Sequence, residues 1–155
     1  MFDPTGFDGF TRRAVPADAS HAARVRTEFD QWLMSTFALE PELHNDLLLA
    51  ANEALANAAS YAYAAGESWG TMTLDARYDP ARHTLSVVVA DHGCWQAVTT
   101  RVPSRNGGRG IPLIHALSDH ASIEPGTHGT TVHMQWNGVR DIRRLVVGGS
   151  PATTR

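Results

Sequence analysis

Apolar residues in the first half of the chain recur at the spacing of α-helices. Between Asp18 and about Phe37 they fall three and four residues apart, which predicts an amphipathic helix. A second, more apolar stretch predicts a helix over about residues 42–65. Pro41 favours the start of that helix and Gly66 favours its end.

The remaining segments alternate between apolar and polar residues, as half-buried strands do. The pattern predicts an N-terminal edge strand and two hairpins, with a glycine-containing loop and a third helix between the hairpins. In chain order these are a strand over 10–15, strands over 71–78 and 84–90, a loop over 96–108, a helix over 110–117, and strands over 121–124 and 130–136. This order predicts an α+β fold, in which helices cover one face of a mainly antiparallel sheet.

Length and composition fit one compact domain. The chain has 155 residues, of which 43% are hydrophobic, enough for a single sizeable core and too few for two ordinary ones. We expect an N-terminal lead over residues 1–9 and a folded domain over 10–137. Residues 138–155 lack apolar periodicity and predict a weakly ordered tail, with at most one helical turn around 141–146.

Charge restricts both the partners and the chemistry. The net charge is −3 and basic residues form no run longer than a pair, which argues against direct binding to nucleic acid or an anionic membrane. All 13 basic residues are arginine. The chain therefore has neither a P-loop lysine nor Schiff-base chemistry. A nucleotide enzyme built from it must hold phosphates with backbone amides, arginine and a metal ion.

Cysteine usage and hydropathy indicate the compartment. The single cysteine, Cys94, has no internal disulfide partner, and no cysteine or histidine cluster has zinc spacing. No secretory leader is evident, and no stretch approaches the ~20 apolar residues of a membrane helix. We expect a soluble cytoplasmic protein.

The second predicted helix carries a polar stripe on an otherwise apolar surface. At about 100° per residue, Glu53, Asn57 and Ser60 fall within an arc of roughly 60°. Burying an unpaired carboxylate and amide is costly, so such a stripe usually faces partners, and a ligand with a metal ion is one candidate. The alternative is a stripe at the solvent edge, or one hydrogen-bonded to neighbouring backbone.

Three short motifs downstream suit a nucleotide. Asp91 and Gly93 follow a buried strand, where a carboxylate can accept a hydrogen bond from the adenine amine and a missing Cβ admits a flat base. Residues 107–110 precede a helix, so backbone N–H groups there can converge on an anion. Residues 129–130 open a strand. Taken singly, each motif is more typical of an ordinary turn or loop.

Together, the four signals resemble the N, G1, G2 and G3 boxes of the GHKL ATPase superfamily. In order they are Glu53-x3-Asn57, Asp91-x-Gly93, Gly108-x-Gly110 and Gly129-Thr130. Within that superfamily the chain is most similar to the anti-sigma-factor serine kinases, in the short form typical of actinobacteria. The resemblance covers roughly residues 10–136. It implies the Bergerat fold, with a mixed, mainly antiparallel sheet, helices on one face and an ATP lid at about residues 95–109.

The resemblance implies a role for each motif residue. Asn57 would ligate Mg²⁺ through its amide oxygen, and Glu53 would act as general base on a serine hydroxyl. Asp91 would accept a hydrogen bond from the adenine amine, with Thr130 nearby, and Gly93 would give the base room. The implied phosphate contacts are Gly108 and Gly110, which would wrap the phosphates, and Arg105 and Arg109, which are candidates for the γ-phosphate.

The implied activity is phosphoryl transfer from ATP by an anti-sigma-factor serine kinase. Such a protein binds a sigma factor and phosphorylates a STAS-domain anti-anti-sigma factor on serine, and the resemblance favours a homodimer. Two positions depart from the superfamily pattern: Trp95 replaces a frequent second glycine of the G1 box, and Tyr61 replaces a frequent histidine.

Two other functions remain open from the sequence. One is a protein-binding regulator that is switched by nucleotide and has little or no kinase activity. Retention of Glu53 disfavours it, because a pure binder does not need a base. The other is the catalytic domain of a histidine kinase.

Overall fold

The computed structural model confirms the α+β class. It describes residues 9–64, 70–92, 105–126 and 129–142, with the backbone alone for 61–64 and 105–110. The elements in chain order are β1 (Gly9–Pro16), α1 (Ala19–Thr36), β2 (Phe37–Ala38), α2 (Pro41–Ala64), β3 (Thr71–Asp79), β4 (Thr84–His92), α3 (Arg105–Leu117), β5 (His120–Gly126), β6 (Gly129–Trp136) and β7 (Arg140–Asp141). Each element longer than two residues corresponds to one that the sequence predicts.

Five strands form the main sheet, in the order β1-β3-β4-β6-β5, and every neighbouring pair is antiparallel. Strand β4 lies at its centre. Along β4, Leu85, Val87 and Val89 are buried, whereas the residues between them are partly exposed. Because successive side chains point to opposite faces, this alternation shows that the helices cover one face of the sheet only.

The residue directly before helix α1 caps it with its side chain. Asp18 has extended backbone angles, and its carboxylate accepts a hydrogen bond from the backbone N–H of His21 at 2.8 Å. This backbone hydrogen bond, together with the His21 ring, lowers the pKa of Asp18. The helix ends where Phe37 turns extended and enters β2.

The core lies between the helices and the covered face of the sheet. Helix α1 presents its buried face through Val25, Phe29 and Leu33, and an aromatic cluster joins that face to the sheet. The cluster consists of Phe10, Phe29, Trp32, Phe37 and Tyr78, with neighbouring ring centroids 4.8 to 5.9 Å apart. Burial of these rings fixes α1 and β2 against β1 and β3.

Helix α3 begins earlier than the sequence predicts. It starts at Arg105, so residues 105–108 belong to the helix and not to the predicted loop, and Gly110 lies inside it. Three glycines and the internal Pro112 explain the error. Glycine has a low helix propensity, and proline is tolerated best in the first turn, so both placed the expected start near Gly110.

The predicted weakly ordered tail is also wrong at its start. Strand β7 pairs with β2, and Val139 is fully buried. The Tyr78 hydroxyl donates to the carbonyl oxygen of Val139 at 2.6 Å, and the Val139 N–H donates to the carbonyl oxygen of His83 at 2.9 Å. A two-residue strand has no periodicity, so only these long-range contacts reveal it. The predictions for residues 143–155 lie outside the described part of the chain.

Removing the Tyr78 hydroxyl is expected to destabilise the domain. Tyr78→Phe leaves the buried Val139 carbonyl without this donor, which costs about 1–3 kcal/mol. Urea unfolding followed by circular dichroism measures the change. The control is Thr84→Val, which removes an exposed hydroxyl and should change stability by less than about 0.5 kcal/mol. Equal stability of the two variants would contradict a structural role for the Tyr78 bond.

Candidate functional site

Asp91 occupies the covered face of the sheet at the end of the central strand. It continues the alternation of Val87 and Val89, so its carboxylate lies on the side of the helices, where the residue is only 8% exposed. Burial of an ionised carboxylate requires hydrogen-bond donors. The alternation that makes β4 a strand therefore also brings an acidic group to the boundary between sheet and helices.

The start of β6 supplies one of those donors. The last β4–β6 pair is Ala90 with Thr131, so Asp91 lies one step beyond the paired residues, beside Thr130. The backbone N–H of Thr130 donates to Oδ1 of Asp91 at 3.1 Å. The structure thus brings together two residues that are 39 positions apart and that the sequence assigns to one site.

Gly129 contacts the same carboxylate, although the sequence analysis assigned it no role of its own. Its φ is +143°, and an added Cβ would overlap the Asp91 carbonyl oxygen and lie 2.7 Å from Oδ1. Its position directly before Thr130 marks it as a neighbour of the site, but the need for a glycine comes from these distances to Asp91. Asp91, Gly129 and Thr130 form a three-residue cluster that we call the Asp91 corner.

Glu53 and Asn57 lie on α2, at the border between its buried and exposed faces. Both are half-buried, whereas Ala54 and Ala58 beside them are buried and Ser60 is exposed. Of the three residues of the predicted stripe, Glu53 and Asn57 are therefore partly covered and Ser60 is not. The sequence left open a buried stripe that faces a ligand and a stripe at the solvent edge, and the half-burial of Glu53 and Asn57 is intermediate between the burial that each would give.

A groove between α1 and α2 is lined on α2 by Asn52, Ala56, Ala59 and Ser60. At about 100° per residue, Glu53 lies roughly 20° from Ser60 around the helix, at the edge of that lining, and Asn57 lies roughly 60° from Ser60. Helix α3 also packs against α2. The polar stripe therefore borders the α1–α2 groove, and of its three residues Ser60 lines it.

The Asn57 side chain is suited to a hard cation that is shared with phosphate. Its amide offers an oxygen ligand, the type that Mg²⁺ prefers. Within the described ranges, no group of three or more histidine, cysteine, aspartate or glutamate side chains could hold a metal ion by itself. Mg²⁺ commonly binds through one or two protein oxygens and completes its shell with phosphate oxygens and water, so Asn57 fits it.

The glycine-rich phosphate motif falls in the first turns of α3. A helix that begins at Arg105 presents unpaired N–H groups in its first turn, which ends at about Gly108. Gly110 lies beyond that turn, so its N–H is placed to bond within the helix. Gly110 thus lies inside the helix and not directly before it, and its contact with phosphate stays a prediction. Arg105 and Arg109 lie on the same helix, while Gly93 and Trp95 lie outside the described residues.

The chain matches a family model described as the histidine kinase-like ATPase domain over residues 15–136. A search of curated proteins found no match. Among the described residues, no helix has the length and hydrophobicity needed to cross a membrane.

Two solved structures share this fold. One is that of the RsbU and RsbW domains of Rv1364c from Mycobacterium tuberculosis, with a TM-score of 0.64 and 22% identity. The match covers 86% of this chain but only 33% of that one, so the chain spans about a third of its relative. The other is the histidine kinase domain from the Erythrobacter litoralis EL346 blue-light activated histidine kinase, with a TM-score of 0.55 and 18% identity, covering 81% of this chain and 67% of that one.

Proposed function

Because this chain belongs to the histidine kinase-like ATPase family, with the GHKL ATPase fold, we propose that it is a protein serine kinase. It binds ATP with Mg²⁺ and transfers the γ-phosphoryl group to a serine of a STAS-domain anti-anti-sigma factor. When it is not engaged with the anti-anti-sigma factor, it binds a sigma factor. We further propose that it acts in the cytoplasm as a homodimer, with residues 10–137 as the working domain.

The Asp91 corner is the observation that carries this proposal. A carboxylate is an acceptor only, and the 6-amino group of adenine is a donor. Asp91 lies at the end of the central strand with Oδ1 held by the Thr130 N–H, so its orientation is set before a ligand arrives. Such preorganisation lowers the cost of ordering the site on binding. We propose that Gly93, which has no side chain, leaves room for the adenine base beside Asp91.

Asn57 and Glu53 supply the polar groups for phosphoryl transfer. Asn57 would hold Mg²⁺ through its amide oxygen, and the bound ion would neutralise charge on the phosphates. Glu53, one helical turn earlier, accepts the proton of the serine hydroxyl as that oxygen attacks the γ-phosphorus. The bond from the γ-phosphorus to the bridging oxygen breaks, and ADP leaves. The first turn of α3, with Arg105, Gly108, Arg109 and the adjoining Gly110, is proposed to contact the phosphates.

The identity of the acceptor is supported by sequence resemblance and by one structural similarity. The motif order is that of the anti-sigma-factor serine kinases, and the chain is similar to a structure that contains an RsbW domain. The similarity to a histidine kinase domain supports a second candidate, in which the acceptor is histidine. The two candidate functions differ in the product: the phosphoryl group is bonded to a serine oxygen in the first and to a histidine nitrogen in the second.

Acid stability of the product distinguishes them. The purified chain is incubated with Mg²⁺ and γ-labelled ATP, together with STAS-domain proteins and, separately, histidine-kinase dimerisation domains. We expect label on a STAS-domain serine, as an ester that survives acid, whereas a phosphohistidine loses its label in acid. Acid-labile label on a histidine would favour the second candidate. ATP binding without transfer to any acceptor would instead favour the nucleotide-switched regulator.

A further inference from the structure

Gly129 is packed against Asp91 so tightly that its lack of a side chain is a requirement. Its φ of +143° lies in a region that L-residues rarely adopt. A Cβ at this position would also overlap the carbonyl oxygen of Asp91 and lie 2.8 Å from its carbonyl carbon. These atoms belong to the backbone of the central strand, which cannot move aside as a flexible side chain could. Any larger residue must therefore displace the start of β6 from Asp91.

That displacement would act on the carboxylate as well as on the backbone. The added Cβ would lie 2.7 Å from Oδ1, the atom that accepts the Thr130 N–H. Thr130 directly follows Gly129, so moving one moves the other. The hydrogen bond from the Thr130 N–H restricts rotation of the Asp91 carboxylate about its Cβ–Cγ bond. The orientation of Asp91 thus depends on the absence of a side chain at residue 129.

We propose that Gly129 is a positioning residue that fixes the Asp91 carboxylate and thereby sets the preference of the site for adenine over guanine. The inference rests on the proposed function, in which Asp91 meets the base. Adenine presents an amine at position 6, whereas guanine presents a carbonyl oxygen there and an amine at position 2. A fixed acceptor opposite position 6 attracts the adenine amine and repels the guanine oxygen. A carboxylate that can rotate and shift can turn to the donors at positions 1 and 2 of guanine.

The test compares ADP and GDP binding by wild type, Gly129→Ala and Gly138→Ala. Gly138 is a matched control, because its φ is also positive, at +71°, and a Cβ there would meet nothing within 4 Å. We expect wild type to prefer ADP by at least about 100-fold, since a group that faces the wrong base edge is left unpaired. In Gly129→Ala the ratio of GDP to ADP dissociation constants should fall at least about tenfold, with most of the loss in ADP affinity. Gly138→Ala should keep the wild-type ratio.

A second variant covers the case in which Gly129→Ala does not fold. Thr130→Pro keeps the glycine at residue 129 but removes the backbone N–H that donates to Oδ1 of Asp91. This variant should also lower the ratio of GDP to ADP dissociation constants. If either variant folds and keeps the wild-type ratio of GDP to ADP dissociation constants, the inference is overturned. Failure of wild type to bind either nucleotide would instead overturn the proposed function, and the inference with it.

Discussion

Asp91→Asn is expected to lower the affinity for ATP by at least about 100-fold, or about 2.7 kcal/mol, in a domain that stays folded. The amide oxygen of asparagine can still accept the N–H of Thr130, so the contact between β4 and β6 survives. The amide nitrogen, however, replaces a carboxylate oxygen. Its hydrogens would face the amine of adenine, and a charge-assisted hydrogen bond becomes a contact between two donors.

Calorimetric titration of ATP measures this loss, and Asp75→Asn is the control. Asp75 lies on β3 between the buried Leu74 and Ala76, so its side chain is on the uncovered face of the sheet. There it accepts hydrogen bonds from Thr11 and Arg77. The control removes a strand carboxylate far from the Asp91 corner and should bind ATP within about twofold of wild type. Equal affinity of Asp91→Asn and Asp75→Asn would remove Asp91 from the site.

Glu53→Gln is expected to slow phosphoryl transfer by at least about 100-fold while changing ATP affinity by less than about threefold. Glutamine keeps the size and the polar contacts of glutamate but cannot accept a proton at neutral pH, and general-base catalysis contributes typically about 10²–10⁴-fold. Single-turnover transfer to the serine acceptor separates the chemical step from binding. Glu53 is half-buried, so its carboxylate can be reached from solvent.

Glu42→Gln provides the matched control for this result. Glu42 lies on the same helix, in its exposed first turn, and loses the same charge. Its transfer rate should stay within about twofold of wild type. If both variants transferred phosphate at the wild-type rate, Glu53 would not be the base. A loss of ATP binding in Glu53→Gln would assign it to the nucleotide site instead.

The parts of the fold that local patterns determine were predictable from the sequence. The alternation in β3 and β4, the Asp18 cap and the apolar faces of α1 and α2 each reflect a period or a residue preference that a short window contains. The same alternation also placed Asp91 on the covered face of the sheet. One error comes from contacts beyond such a window, because strand β7 depends on Val139 meeting β3 and the β3–β4 turn. The other is local: glycine's low helix propensity favoured a later start for α3 than the observed Arg105.

The candidate site divides in the same way. Motif order alone pairs Asp91 with Thr130, and the structure supplies the hydrogen bond between them. Helical geometry predicts that Glu53 and Asn57 share one side of α2, but not that this side borders the α1–α2 groove, because the packing of the two helices decides it. The requirement for Gly129 was not predictable from its position before Thr130. It follows from an interatomic distance to a strand 38 residues earlier in the sequence, which only the fold creates.

Calorimetric titration of ATP into the purified chain, with Mg²⁺ and with Mg²⁺ chelated, tests the central claim that this is an ATP site. We predict micromolar binding, about −8 kcal/mol, that weakens at least about tenfold when Mg²⁺ is removed. In Asn57→Ala, the affinity with Mg²⁺ should drop to the level measured for wild type without it. A folded wild-type protein that binds no ATP at millimolar concentration would contradict the account.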